Sequence, residues 1–436
     1  MTRFFHKYGV HILIGFFAGL TVMAFWPGIL REDSLTQYQQ ALQGAYSDHH
    51  PPIMAAYWRL LNHLYPGPGL LFLSHMACLW LSAALMAHAY KGTPQRWLFT
   101  FIPLIPQVLG YGLFVLKDAG FALSFLLASS FLILAGRQQR RLSPVELGII
   151  CVLLFYGAAV KYQGIFVLPF MCLWIALNYL QHRTLKVRWA GGMAFYGIFF
   201  AAITFFNAAT TQQQNHSWQY VKLYDLAAIS LEQNQALFPD FVKAHPRFSL
   251  QALHDHFNPR RVDEYVFIPQ PILIKGQTEE QRQELWDYWW QTVRRYPKSY
   301  LKHRIRLLGF MLTNSPLKTP DEIQSDRATI PPALLQMLQV LDHTGILGVL
   351  KTLTSFLLFA PLMLFYLLFG LKNLRHDPCH DARSLVMLNG MGLALLTTLT
   401  FFSMASDVRY IYLTMCCCHF SHPVFWHLWR NKKRKR

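Results

Sequence analysis

The feature that most limits how this chain can fold is a succession of apolar stretches, most of them close to span length, separated mainly by short polar loops. A helix needs about 20 mostly apolar residues to cross about 30 Å of hydrocarbon. Stretches near 9–30, 70–90, 98–116, 119–136, 146–161, 164–180, 190–208, 346–370, 385–405 and 409–428 meet or approach that length. They predict an all-α polytopic membrane protein of about ten spans. The fifth stretch is short. The third carries Pro103 and Pro106, which membrane helices tolerate where neighbours satisfy the backbone. Residues 303–313 are apolar on balance but hold Arg304 and Arg306, so they read as interfacial; counting them as a span would change the topology. The first stretch, Gly9 to Leu30, is too long for a signal-peptide core and lacks a small-residue cleavage site. It reads as a retained anchor.

Composition agrees with lipid as the solvent. The chain is 53% hydrophobic and 14% charged, against about 25% charged residues in soluble domains. Its net charge of +18 could suggest nucleic acid, but no reading motif accompanies it. Lys and Arg collect instead on one set of alternating loops: Arg3 and Lys7, Lys91 and Arg96, Arg137 to Arg141, Arg183 to Arg188, Lys372 to Arg383, and the tail from Arg430 to Arg436. The positive-inside rule then makes both termini cytoplasmic. The expected organisation is an N-terminal transmembrane module, 1–208, whose first outer loop is 31–69. A mixed, mainly helical outer soluble domain follows at 209–345, then C-terminal helices and a basic tail at 346–436. Within the outer domain, Leu285, Tyr288, Trp289 and Thr292 share one face of a helix through 280–295. The seven cysteines avoid this segment, so a disulfide framework is not expected there.

Chemistry-bearing residues gather on the side where positive charge is disfavoured. The first outer loop carries Asp33 and, a little further on, Asp48-His49-His50-Pro51-Pro52. Lys117-Asp118 opens one span, Lys161 closes another, and Asp407-Val408-Arg409-Tyr410 precedes the last. Each has a bland reading: Asp33 as a helix cap over Ser34–Tyr38, Lys117 and Asp118 as a self-neutralising pair, Lys161 and Arg409 as snorkelling ends. Together they place charge from separate loops at one membrane depth, which is a functional-site hypothesis by default. Lys and Arg at that interface suit a phosphate or pyrophosphate. His49 and His50 could be metal ligands, but no third ligand stands out, and a divalent metal stays an open cofactor. His376 to Asp381 looks like a metal cluster interrupted by Pro378. Cys416, Cys417 and Cys418 read as helix packing. Phosphate-cradling glycine loops, a nucleophile elbow and a zinc-hydrolase helix are missing, which disfavours an ATP-driven pump or a soluble-type hydrolase.

At these residues the chain resembles the GT-C membrane glycosyltransferases, the superfamily of the protein O-mannosyltransferases and the lipid A aminoarabinose transferase. Those enzymes have an essential Asp in the outer loop after the first span, matched here by Asp33. They follow it with an acidic–His–Pro–Pro-type segment, matched by Asp48-His49-His50-Pro51-Pro52 with one His more than usual, which leaves His49 against His50 open. Lys117-Asp118 with Phe121-Ala122-Leu123, and Asp407-Val408-Arg409-Tyr410-Ile411-Tyr412, resemble segments that open later spans in that superfamily. The resemblance covers the first 210 residues and the last 50 or so; the outer domain does not identify itself. It implies a polyprenyl-phosphate sugar donor and an envelope acceptor, whether lipid-linked glycan, lipopolysaccharide or protein. Asp33 would be the base, with Asp48 and His49 positioning substrate beside it. Lys161 and Arg409, with Lys117, would sit on the donor phosphate, and Asp118 would position donor or acceptor. The setting would be a bacterial inner membrane with the site on the periplasmic face. An O-antigen polymerase or ligase, using Arg294, Arg295, His303 and Arg304, is a second reading. A lipid-linked glycan flippase is a third, although internal repeats are absent.

Overall fold

The computed structural model describes residues 2–315, 320–321, 332–376 and 379–435. It is all-α: among the described residues the one sheet is a pair of short parallel strands, Tyr46–Ser47 and Thr211–Gln213. Six described helices are long and apolar enough to cross a membrane: Tyr8–Phe25, Gly69–Ala89, Lys117–Arg137, Leu185–Thr210, Ile346–His376 and His380–Phe402. That is what a multi-pass membrane protein requires. Pro144–Val160 and Gly164–Tyr179 are apolar but shorter. The stretch expected as a third span is not one helix. It breaks into Leu98–Phe101, a 3-10 turn Ile102–Leu104, and Pro106–Gly112. Pro103 and Pro106 lack the N–H that would continue the ladder, and Ile105, extended before Pro106, restarts the chain as a new helix.

The chain divides into two compact units. The first comprises Met1–Gln213, Ser315–Leu395 and Arg409–Arg436. Its centre is the Lys117–Arg137 helix, of which 94% of the apolar window is buried. That helix packs against Gly69–Ala89, Pro144–Val160 and Tyr412–Lys435. Gly120, Ala122, Ala128 and Ser129 keep its surface low, which lets neighbouring helices approach closely. By contrast only 17% of the windows in Tyr8–Phe25 and Leu185–Thr210 is buried, and Phe16, Met23, Ile198 and Phe205 are exposed. A rim of exposed large apolar side chains suits lipid, not water.

Two local devices set the loop after the first helix. Ile29 bridges to the segment before Lys117 through its N–H to the Leu113 carbonyl (3.0 Å) and its carbonyl from the Val115 N–H (2.9 Å). Ser34 Oγ accepts from the Arg31 N–H (3.2 Å) and donates to the Val115 carbonyl (2.7 Å). The helix Glu32–Gln43 therefore starts at Glu32, with Arg31 as N-cap. Asp33 is not its cap, as the bland reading had it, but a first-turn residue with its carboxylate turned elsewhere. Gly44 ends the helix at φ 70°, in the left-handed region that favours glycine.

The second unit is Gln214–Asn314 with Leu396–Val408, so its bounds differ from the 209–345 read in the sequence. Residues 211–213 belong to the strand pair with 46–47 in the first unit. Residues 396–408 join the second through long-range bonds: the Val262 N–H donates to the Met404 carbonyl (3.1 Å) and the Ser406 N–H to that of Arg260 (2.8 Å). The core is Leu223, Tyr224, Phe238, Leu253, Tyr265 and Leu285 with their neighbours. The 280–295 pattern forms the helix Glu279–Arg295, opened by a capping box between Thr278 and Gln281. Residues 303–313 lie in the helix Pro297–Thr313, which is not among the six span-length apolar helices.

Inside this core, Arg304 and Asp225 are both fully buried. Arg304 Nη2 donates to Asp225 Oδ2 (2.7 Å), Nη1 donates to the Ser403 carbonyl (2.6 Å), and Trp289 Nε1 donates to the same Asp225 oxygen (3.0 Å). A buried ion pair holds only when its remaining lone pairs are met. Trp289→Phe, which removes one donor to the carboxylate, is expected to destabilise this unit by about 1.5–3 kcal/mol. A thermal melt of the purified full-length chain checks it. His303, beside Asp225, has its pKa lowered to about 3 by burial and by the charges of Arg304 and Arg306, so it is neutral.

Candidate functional site

The site lies in the first unit, where the Ile29 bridge and Ser34 hold the start of Glu32–Gln43 against the start of Lys117–Arg137. Asp33 Oδ2 is 2.9 Å from Arg409 Nη1. Arg409 Nε in turn lies 4.0 Å from Asp118 Oδ2. Asp118 Oδ1 accepts a short hydrogen bond from the Lys161 ammonium, which also donates to the Tyr410 carbonyl (3.2 Å). On the other side Lys117 Nζ is 2.7 Å from His50 Nδ1, and His50 Nε2 is 3.9 Å from Asp33 Oδ1. Of the eight residues singled out in the sequence, six form this chain of contacts: Asp33, His50, Lys117, Asp118, Lys161 and Arg409.

Asp48 and His49 sit at its edge. Asp48 is positioned by its backbone: its N–H donates to the Gln213 carbonyl (3.0 Å), and its own carbonyl accepts from Tyr162 Oη (2.7 Å). Asp118 is a second carboxylate against Arg409. The His49 ring is 4.6 Å from that of His50. Of the two histidines, His50 is the buried one and meets Lys117. Pro51 and Pro52 then turn the chain into the helix Ile53–Asn62.

Burial and charge fix the protonation states. Burial alone would raise the Asp33 carboxyl, but the charges of Arg409 and Lys117 outweigh it and hold it below the usual carboxylate value. Burial, then the charges of Lys117, His49 and Arg409, push the His50 imidazole far below its usual value. His50 is therefore neutral. Its Nδ1 accepts from Lys117, and Nε2 carries the proton on the side of Asp33. With His50 neutral, the charges in this chain of contacts are the cations Lys117, Lys161 and Arg409 and the carboxylates Asp33 and Asp118. Asp33 is the accessible carboxylate, its side chain 25% exposed against 3% for Asp118. Asp33 can accept a proton from an incoming group, whereas Asp118 anchors the cations behind it.

Contributors beyond the eight are Ser34, Tyr162 and the Tyr410 carbonyl. Among the described residues no group of three or more His, Cys, Asp or Glu side chains is placed to hold a metal ion. In the 376–381 motif, residues 377 and 378 lie outside the described residues. Asp381 accepts from Tyr90 Oη (2.8 Å) and Arg137 Nη1 (3.0 Å) and contacts His427 Nδ1 (2.8 Å), a bridge between helix ends. Cys416, Cys417 and Cys418 are buried in Tyr412–Lys435. Compared with known proteins, the chain matches no family model, no curated protein and no solved structure.

Proposed function

We propose that this chain is a membrane glycosyltransferase of GT-C type, transferring a sugar from a polyprenyl-phosphate donor to an envelope acceptor on the outer face of a bacterial inner membrane. In this reading the chain has about ten spans and both termini are cytoplasmic. The observation that carries it is the half-open Asp33 carboxylate paired with Arg409 and flanked by Lys117 and His50. Asp33 takes the proton of the acceptor hydroxyl as its oxygen attacks the anomeric carbon. The bond from that carbon to the phosphate oxygen breaks, and the electron pair leaves with the phosphate. Arg409 and Lys117 stabilise the charge gained there. Lys161, committed to Asp118 and the Tyr410 carbonyl, positions Arg409 instead of gripping the donor. Membrane lipids surround the site, and the carrier chain lies among them.

The test is transfer of radiolabelled sugar from defined polyprenyl-phosphate donors to envelope fractions of a strain lacking the protein. Label is expected in acceptor only when the chain is supplied. Transfer from a nucleotide sugar without a lipid carrier would overturn the mechanism. The polymerase or ligase reading is less well supported. Arg304 and His303 are internal to a core, and the Arg294 guanidinium packs 4.6 Å from the Trp290 ring, so those residues do not share an open site. A flippase would move intact carrier and leave the label on lipid.

A further inference from the structure

The second unit carries a small cavity of about 150 Å³ lined by His216, Trp218, Glu279, Arg282, Gln283 and Trp286. A volume near 150 Å³ takes one six-membered ring. Trp286 and Trp218 are 48% and 38% exposed, an unusual placement for side chains whose burial is so favourable. Their rings stand nearly perpendicular, at 71° with centroids 6.0 Å apart, so they form a corner and not a flat patch.

What lies behind the corner makes it rigid. The Lys222 ammonium, itself buried, sits 3.7 Å from the Trp286 ring centroid and 3.6 Å from that of Trp289. Trp289 is in turn anchored by its bond to Asp225. Burial lowers the Lys222 pKa to about 8, so the cation–π contact is present at neutral pH. One part of the Trp286 ring is thus held by a cation while the remainder is open. Around the opening stand planar polar groups. Arg282 is fixed by Glu279 (2.6 Å) and the Gln277 carbonyl (2.7 Å), and Gln283 by Asp287 (3.1 Å).

We propose that this corner is a carbohydrate subsite that takes a single pyranose ring of a neutral glycan, stacked on Trp286 and edged by Trp218. An aromatic face presents weakly negative charge to the polarised C–H groups of a sugar. Amide, carboxylate and guanidinium groups at the rim match vicinal hydroxyls with paired hydrogen bonds. An apolar partner would strip water from the donor and acceptor positions that Arg282, Glu279 and Gln283 do not spend on their bonds within the protein, which is costly. The subsite is independent of the transferase reading, because binding is measured with no donor present.

The test uses the full-length chain in lipid nanodiscs with chitotriose, cellotriose and mannotriose as probes, read by saturation-transfer NMR. At least one probe is expected to bind, and Trp286→Ala to weaken it about tenfold, the scale of one lost aromatic contact. Gln283→Ala, at an exposed position that needs no refolding, is expected to weaken the same probe. Trp290→Ala, outside the cavity, is expected to leave it unchanged. Failure of all three probes, or equal binding by Trp286→Ala, overturns the proposal. So does quenching by brominated lipid that Trp286→Phe abolishes, since the corner would then be a membrane contact.

Discussion

Replacing Asp33 by Asn is expected to lower the turnover of sugar transfer by a factor of about 10²–10⁴, the usual contribution of a positioned general base, while the chain stays folded and still binds donor. Asn keeps the shape and a polar oxygen for Arg409 but cannot take a proton at neutral pH. Retention of full turnover would sink the assignment of Asp33. A loss confined to KM would make Asp33 a positioning residue for Arg409. The ion pair adds a second, sharper expectation. Burial raises the Asp33 carboxyl, but Arg409 and Lys117 outweigh it and hold it below the usual carboxylate value. Activity is then lost as pH falls through that depressed value. When a donor phosphate occupies Arg409, its negative charge offsets the guanidinium, and Asp33 titrates higher. The acid limb of kcat/KM, which reports the free enzyme, is therefore expected below that of kcat, which reports the complex. Coincident limbs would mean that the phosphate does not meet Arg409.

The same logic applies to the stability of the site without substrate. The lowered Asp33 value makes its pairing a stabilising contribution above the ordinary carboxylate range. That contribution is lost as pH falls through the folded-state value. His50 acts in the same sense: its depressed value means that protonating it costs stability as pH falls below the ordinary imidazole range, so acid weakens the site through both groups.

Much of this arrangement was legible in the sequence, for a physical reason. Lys117, Asp118, Lys161 and Arg409 are charges at the ends of apolar runs, and charge in that setting stands out against its surroundings. Their pairing was not legible. It depends on the backbone bridge between Ile29 and Phe114 and on the Ser34 hydroxyl, contacts between single residues with no periodic pattern. For the same reason the sequence could not tell His49 from His50, since adjacent side chains diverge and only packing decides which one meets Lys117. The apolar runs read at 70–90 and 119–136 became the helices Gly69–Ala89 and Lys117–Arg137, at nearly their read lengths, because uninterrupted apolar composition over span length favours a helix. The run at 98–116 did not, because two prolines three residues apart override its composition. The affiliation of 396–408 with the second unit also escaped, since it rests on backbone bonds to residues about 140 positions earlier.

Removing Lys161 is expected to unfold the first unit locally, and the effect should be largely reversed by removing its partner. Lys161 and Asp118 are 4% and 2% exposed and joined by a short hydrogen bond. Breaking a buried pair from one side leaves the other charge stranded, at a cost of about 3–5 kcal/mol. Lys161→Met strands the Asp118 carboxylate, whose Oδ2 accepts no hydrogen bond and lies 4.0 Å from Arg409 Nε. Asp118→Asn takes away the counter-charge of the ammonium and leaves it only neutral acceptors, the amide oxygen and the Tyr410 carbonyl. The double variant Asp118→Asn/Lys161→Met strands neither, and its melting temperature in detergent is expected to return most of the way to that of the parent. Transfer activity should not return with it, because Arg409 keeps Asp33 but loses the carboxylate that fixes its other edge. A single Lys161→Met variant as stable as the parent would rule out the buried pair. A double variant with parental turnover would show that Arg409 needs only Asp33 to be held in place, and would shrink the working site to Asp33, His50, Lys117 and Arg409.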